Sequence, residues 1–280
     1  MTDPRVSSPL RRLAFAGTWY DSDPVRLASQ VDAWLASVEP SAPPARAVVS
    51  PHAGLQFSGA VAARSYRALG DRPREAIVLV GPSHYVSFPG CAMLARGTIA
   101  SPWAPHPVAS DLADALAARA PSLGRSRDEV HAREHSLELQ LPLVARVQPG
   151  VPLLLILMGD QTREVAFGLG DALADVLEGQ NVALVASSDL SHFHDARTAH
   201  EKDRVVLDAL DGGSAEQLMR VLEAEPHHAC GGGPMVAVMH AASRLGATSG
   251  GVLAYADSGE VTGDLRSVVG YVSAAFREPR

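Results

Sequence analysis

Lysine is almost missing from this chain: of its 24 basic residues only Lys202 is a lysine. Genome composition explains that bias more simply than chemistry does. Cysteine is nearly as scarce. Cys91 and Cys230 are the only two, far apart, so there is no disulfide framework and reduced, intracellular thiols are expected. No apolar run approaches a membrane span; the longest, Val151 to Met158, is far too short. Met1 to Leu10 is polar and proline-containing, without the apolar core of a secretory signal. A net charge of −7 gives no support to a nucleic-acid or anionic-membrane surface. The expectation is a soluble, cytoplasmic protein with neither nucleic acid nor membrane as partner.

What is present is ordinary globular material, 46% hydrophobic and 20% charged over 280 residues, enough for a large core. After a flexible tail over residues 1–12, no linker, repeat or low-complexity stretch divides the chain, so residues 13–280 read as one domain. Asp23-Pro24 opens a helix as N-cap and N1, with Leu27, Val31, Trp34, Leu35 and Val38 on its inner face. The Pro40 to Pro44 stretch ends it. Further helices are predicted over 58–69, 108–120, 134–147, 164–177, 202–210, 215–223 and 235–245. Short apolar runs at 47–49, 77–80, 153–158, 182–186, 252–256 and 268–274 read as strands. This alternation predicts a layered α/β fold with a central, mainly parallel or mixed sheet flanked by helices.

Three of the strands run directly into motifs rich in histidine or acid: Ser50-Pro51-His52-Ala53-Gly54, Gly81-Pro82-Ser83-His84 and Ser187-Ser188-Asp189-Leu190-Ser191-His192. In open α/β sheets, ligands and metals bind past the carboxyl ends of strands. The convergence therefore predicts one polar pocket holding a metal. Proline and glycine fix sharp exits around His52 and His84, and neutral imidazole is the commonest protein ligand for transition metals. Either histidine could instead simply bond backbone at a turn.

Asp189 and His192 share the third loop, where a carboxylate and an imidazole can divide general acid–base work. The nearby serines raise a hydrolase reading, but the chain has no Gly-x-Ser-x-Gly elbow. His194 and His200 read as surface residues. Cys230 precedes Gly231-Gly232-Gly233-Pro234 and a helix start, a setting that favours thiolate. The glycines could alternatively cradle an anion, and a buried inert cysteine is the bland alternative. Glu134 and His135 open a helix and read as outer-layer or substrate-facing groups. His131 falls outside that helix, and Leu137, Leu139, Leu141 and Leu143 serve packing. Tyr20 could line a pocket through its phenol, or belong to an aromatic pair anchoring the N-terminal segment.

Together with Ala16-Gly17-Thr18-Trp19-Tyr20, Phe57-Ser58-Gly59, Glu134-His135-Ser136-Leu137-Glu138 and Cys230-Gly231, these motifs resemble the Memo family. Its prokaryotic members are called AmmeMemoRadiSam system protein B. The resemblance runs in order from about Leu13 to Phe276. It implies a fold like that of class III extradiol dioxygenases, whose site carries non-haem iron(II). Carried onto this chain, the family's metal ligands fall on His52, His84 and Cys230. Asp189 and His192 lie beside them, His192 at the position of an acid–base histidine. A His, His, Cys set departs from the usual two-histidine, one-carboxylate triad and makes copper a competitor for iron, with zinc a further option. Leu55 and Tyr85 depart from residues common in relatives, which implies an altered pocket shape.

The function expected from these readings is a metal-dependent oxidoreductase in which His52, His84 and Cys230 hold iron(II) while Asp189 and His192 handle protons. The alternatives are a non-catalytic module binding a peptide or small molecule, and a metal-assisted hydrolase. The resemblance implies AMMECR-type and radical-SAM proteins as partners.

Overall fold

The inner parallel strands of the central sheet are apolar almost throughout because helices cover both of its faces. The computed structural model describes residues 10–39 and 43–279. Most of the expected tail, and residues 40–42 of the expected helix stop, lie outside that range. Within it, β1 (Leu10–Arg11), α1 (Pro24–Ala36), β2 (Ala47–Ser50), α2 (Leu55–Leu69) and β3 (Ala76–Pro82) come first. They are followed by β4 (Cys91–Leu94), β5 (Thr98–Ile99), β6 (His106–Pro107), α3 (Ser110–Arg119), β7 (Gly124–Ser126), α4 (His135–Glu138), α5 (Leu141–Val147) and β8 (Leu153–Met158). The rest is α6 (Arg163–Leu177), β9 (Val182–Ser187), β10 (Asp189–His194), α7 (Ala196–Asp211), α8 (Ala215–Ala224), α9 (Gly232–Arg244), β11 (Ser249–Asp257), α10 (Gly259–Thr262) and β12 (Val268–Arg277).

Nine strands form the main sheet in the order β10-β12-β2-β9-β3-β8-β4-β7, with β11 on the other edge of β12. β2, β9, β3 and β8 are mutually parallel. β4 runs antiparallel to β8 and parallel to β7, and β12 runs antiparallel to β2, β10 and β11, so the sheet is mixed, as predicted. β1, β5 and β6 form a small separate sheet. Alternate residues feed two cores. Val49, Val78, Ile156 and Leu184 pack with Leu169 and Leu173 of α6, Leu218 of α8 and Val236 of α9. Val48, Leu79, Leu155 and Val185 pack with Leu27 and Val31 of α1, Tyr66 of α2 and Leu143 of α5. That double burial is why the strands read as unbroken apolar runs. Among the described residues no helix is long and apolar enough to cross a membrane.

α1 is capped as its sequence predicts, Asp23 accepting from Val25 and Arg26 with Pro24 at the first turn. Other elements differ from expectation. The segment predicted as one helix over 134–147 is two, α4 and α5, separated at Leu139-Gln140. The Gln140 side chain is drawn inward there, its amide donating to the Pro51 carbonyl at 2.9 Å and to Ser187 Oγ at 2.8 Å. α7 begins at Ala196, where Asp195 caps Thr198, six residues before the expected start. β4, β5, β6, β7 and β10 were not predicted. Of the expected tail, Leu10–Arg11 are described and pair with Thr98–Ile99. The buried Arg11 guanidinium there meets Glu138 at 3.0 Å.

Candidate metal centre

β2, β9 and β3 are adjacent and parallel, so their carboxyl ends open on one edge and deliver His52, Asp189 and His84 to the same place. α4 closes over that edge from the side. Ser136 Oγ donates to the Pro82 carbonyl at 2.9 Å and Ser187 Oγ to the Ser136 carbonyl at 2.6 Å. This docking carries His135 onto the other two histidines. The His84 and His135 rings stack with centroids 4.2 Å apart, and His52 stands edge-on to both at 5.2 and 5.4 Å. One donor nitrogen from each of His52, His84 and His135 lies within 4.8 Å of the other two.

The hydrogen bonds set the tautomers. Ser187 Oγ spends its proton on Ser136 and accepts from Gln140. Toward His52 it can therefore only accept, so the 2.9 Å contact is Nδ1–H donating to Ser187, and the Nε2 lone pair of His52 is turned toward the Cys230 sulfur at 3.2 Å, available to that thiol or to a metal. Glu134 performs the same task for His84. One oxygen takes the ring Nδ1–H at 2.9 Å and the other takes the His84 backbone N–H at 2.6 Å. A carboxylate or hydroxyl behind each imidazole is the usual support of a metal-binding histidine. His135 Nδ1 is buried and makes no hydrogen bond among the described residues, but it lies 3.4 Å from Glu134 Oε1, the oxygen that also takes the His84 Nδ1–H, so the Nδ1 atoms of both rings face one carboxylate.

Electrostatics favour neutral imidazoles. Burial, and then the neighbouring His84 and His135, hold His52 far below the usual histidine range. Burial and His84 lower His135 to about 4. Burial alone would raise Glu134, but hydrogen bonds from the His84 ring and from the Ser136 and His84 N–H groups outweigh it and keep the carboxylate below its ordinary range. A neutral imidazole with a bound, negative neighbour is ready to ligate.

Cys230, expected from the resemblance as the third ligand, is not one of the three groups that cluster most tightly. Its Sγ lies 3.2 Å from His52 Nε2 and accepts from the Asp189 N–H at 3.3 Å. Burial, reinforced by the Asp189 charge, raises its thiol above the ordinary range. The chain reaches this position because Gly231 leaves room: a Cβ there would lie 2.3 Å from the Ser187 carbonyl oxygen. His135, expected as an outer-layer or substrate-facing group, clusters with His52 and His84. It follows a 3₁₀ turn and not a strand, so the strand-end rule could not find it. Its only sequence signal was membership of the Glu134-His135-Ser136-Leu137-Glu138 motif.

Asp189 is buried, and its Oδ1 accepts from the backbone N–H of His52 at 2.8 Å and of Ala53 at 3.3 Å. Burial raises its pKa to about 7 against those two bonds. The side chain thus pins the Pro51-His52-Ala53 loop. His192 donates Nδ1–H to the Leu190 carbonyl at 2.7 Å. It lines a cavity of about 1070 Å³ together with His84 and Cys230. Bulges in β10 on either side of His192 aim that side chain, and burial lowers its pKa. Tyr20 is buried. Its hydroxyl donates to Glu138 at 2.9 Å, and the same carboxylate holds the Ala14 and Phe15 N–H groups, anchoring the N-terminal segment. Tyr85 stacks on Phe15 and meets His135 edge-on, while Leu55 is buried at the start of α2.

The fold and this cluster define an α/β protein with a three-imidazole site at the carboxyl edge of a mixed sheet. The sequence matches the Memo-like protein family over residues 11–275, and the chain belongs to that family. It is 34% identical to a MEMO1 family protein of Nitrosopumilus maritimus, covering 82% of this chain and 83% of the relative. It is also 34% identical to one of Methanopyrus kandleri, covering 95% and 99%. An uncharacterized protein from Escherichia coli K12 shares the fold, with a TM-score of 0.56 at 18% identity over 81% of this chain and 98% of that one.

Proposed function

We propose that this Memo-family chain is a metal-dependent oxidoreductase in which His52, His84 and His135 hold iron(II), with copper as the competing metal and Cys230 as a further sulfur donor. The observation that carries this reading is the clustering of donor nitrogens from His52, His84 and His135 within 4.8 Å of one another, with hydrogen bonds to Nδ1 of His52 and His84 that leave Nε2 of each as the ligating atom. Imidazole donors suit iron, copper, nickel and zinc. Three protein ligands beside an open cavity leave a position for substrate, as catalytic metal sites do and closed structural sites do not. Bound there, a redox metal supplies electron transfer to or from that substrate.

The chain's own groups do the rest. Ser187 and Glu134 keep the two imidazoles in the ligating tautomer. Asp189 holds the His52 loop. His192 carries a proton on Nδ1, bonded to Leu190, so its Nε2 is the group able to take a proton from a substrate in the cavity. Metal analysis of protein purified without air or added metal tests the reading. About one equivalent of iron or copper is expected, lost in His84→Ala. A thiolate-to-metal charge-transfer band absent from Cys230→Ser would assign the sulfur. Zinc alone, or no stoichiometric metal, would overturn the oxidoreductase assignment.

A further inference from the structure

The one lysine of the chain lies on the wall of the cavity that His84 and His192 also line. Every other basic residue is arginine, so the position that keeps an ammonium in an arginine-rich chain is one that faces the cavity. The two groups are not equivalent: arginine offers a planar fork, lysine a compact point charge on a flexible stem. The Lys202 ammonium is also weakly committed. Among the described residues its closest carboxylate is Glu225, at 4.0 Å, beyond hydrogen-bond reach. The other two acids on the cavity wall are engaged elsewhere. Glu223 is gripped by Arg163 with two contacts of 2.8 Å, and Asp160 accepts from the Thr162 N–H at 3.0 Å. Met219, Leu222 and Phe193 supply an apolar wall in the same cavity. Phe193 is 77% exposed and is the one described non-glycine residue at positive φ, 62°. Such a conformation is strained for a residue with a side chain, and it holds a large aromatic ring out in solvent next to His192.

We propose that Lys202 is the anion-binding residue of this cavity, and that its ligand is a small amphipathic monocarboxylate whose apolar body lies against Phe193, Met219 and Leu222. A monoanion fits better than a phosphate. No arginine lines the cavity to fork a phosphate, and Glu225 beside Lys202 opposes a second negative charge. The proposal deepens the metal-site reading by naming a ligand class, and rests on it only for the ligand's far end, at His84 and His192.

Because Lys202 is unique, its chemistry can be followed cleanly. Wild-type protein is labelled with trinitrobenzenesulfonate and modification at Lys202 is read by peptide mass spectrometry, with and without metal. 3-Phenylpropionate is expected to slow labelling at least tenfold, 3-phenylpropanol less than twofold, and phenyl phosphate less than the carboxylate. Lys202→Met should lower the calorimetric affinity for 3-phenylpropionate at least tenfold with the metal content unchanged. Equal protection by the alcohol, stronger protection by the phosphate, no protection at millimolar carboxylate, or unchanged affinity in Lys202→Met would each overturn the proposal. If Lys202→Met fails to fold, protection in the wild type decides alone. Protection in a chain that binds no metal would refute the metal reading and leave this one standing.

Discussion

The buried network behind His84, here the floor, and the rim of the cavity are built in opposite ways. On the floor, His52, Ser187, Ser136 and Gln140 are buried and joined by hydrogen bonds of 2.6 to 2.9 Å. On the rim, Phe193 is strained and exposed, and among the described residues the Lys202 ammonium comes no closer to a carboxylate than the 4.0 Å to Glu225. A buried polar network is stabilising only when every member is satisfied, so the floor has one arrangement whether or not a ligand is present. Groups meant for a ligand must be left unsatisfied beforehand, and they are tolerable only where water can reach them. The contrast separates what holds a metal from what selects a substrate.

Substitutions on each side test that separation, beginning with the largest effect. His52→Ala removes a donor outright, and metal binding should fall by more than about 100-fold, read by competition with a chelating dye. Retention of full affinity would mean that the floor is not the metal site. Ser187→Ala leaves the imidazole but frees its tautomer, and a loss of about 10- to 100-fold is expected. Gly231→Ala drives a methyl into the Ser187 carbonyl and should cost about 1–3 kcal/mol in urea unfolding; a neutral result would show that the floor can shift.

The pH profile of the metal-free protein gives a smaller effect. His131 is buried and lowered to about 3, by burial first and then the Arg11 charge. His52, His135 and His192 are lowered as well. Between those values and the ordinary 6.5 the unfolded chain binds more protons, so stability is full above about pH 6.5 and falls as the pH drops. Each histidine contributes about 1.4 kcal/mol per pH unit in that window. Asp189, raised to about 7, works the other way, gaining stability as pH falls through 7, but it is one group against four. Net stabilisation on moving from pH 7 to pH 5 would contradict the buried, neutral histidines. The smallest effect belongs to the rim. Phe193→Gly relieves the positive φ at little loss of burial, and should raise stability by about 0.5 kcal/mol while weakening ligand capture. Destabilisation there would show that the rim is structural after all.

Much of the sheet was legible because β2, β3, β8 and β9 are buried on both faces and leave plain apolar runs, with β8 matching its predicted bounds. The missed strands are short, like β5 and β6 at two residues each, or polar like β10, whose Asp-Leu-Ser-His-Phe-His follows the bulges of a site and not a packing pattern. The break at Leu139-Gln140 was invisible because its cause, the Gln140 amide reaching Pro51 and Ser187, lies 89 and 47 residues away in the chain. His135 was named but assigned to an outer layer, since local spacing cannot show a short helix docking over strand ends.

Residue order alone settled the layered α/β class, the helix cap at Asp23 and the delivery of His52 and His84 to one edge, because periodic burial and strand exits are local properties of the chain. Tertiary structure alone decided that His135 joins them, that Asp189 holds a loop, and that the single lysine faces the cavity. Those outcomes depend on contacts between segments distant in sequence, whose geometry is set only when helices and sheet pack together.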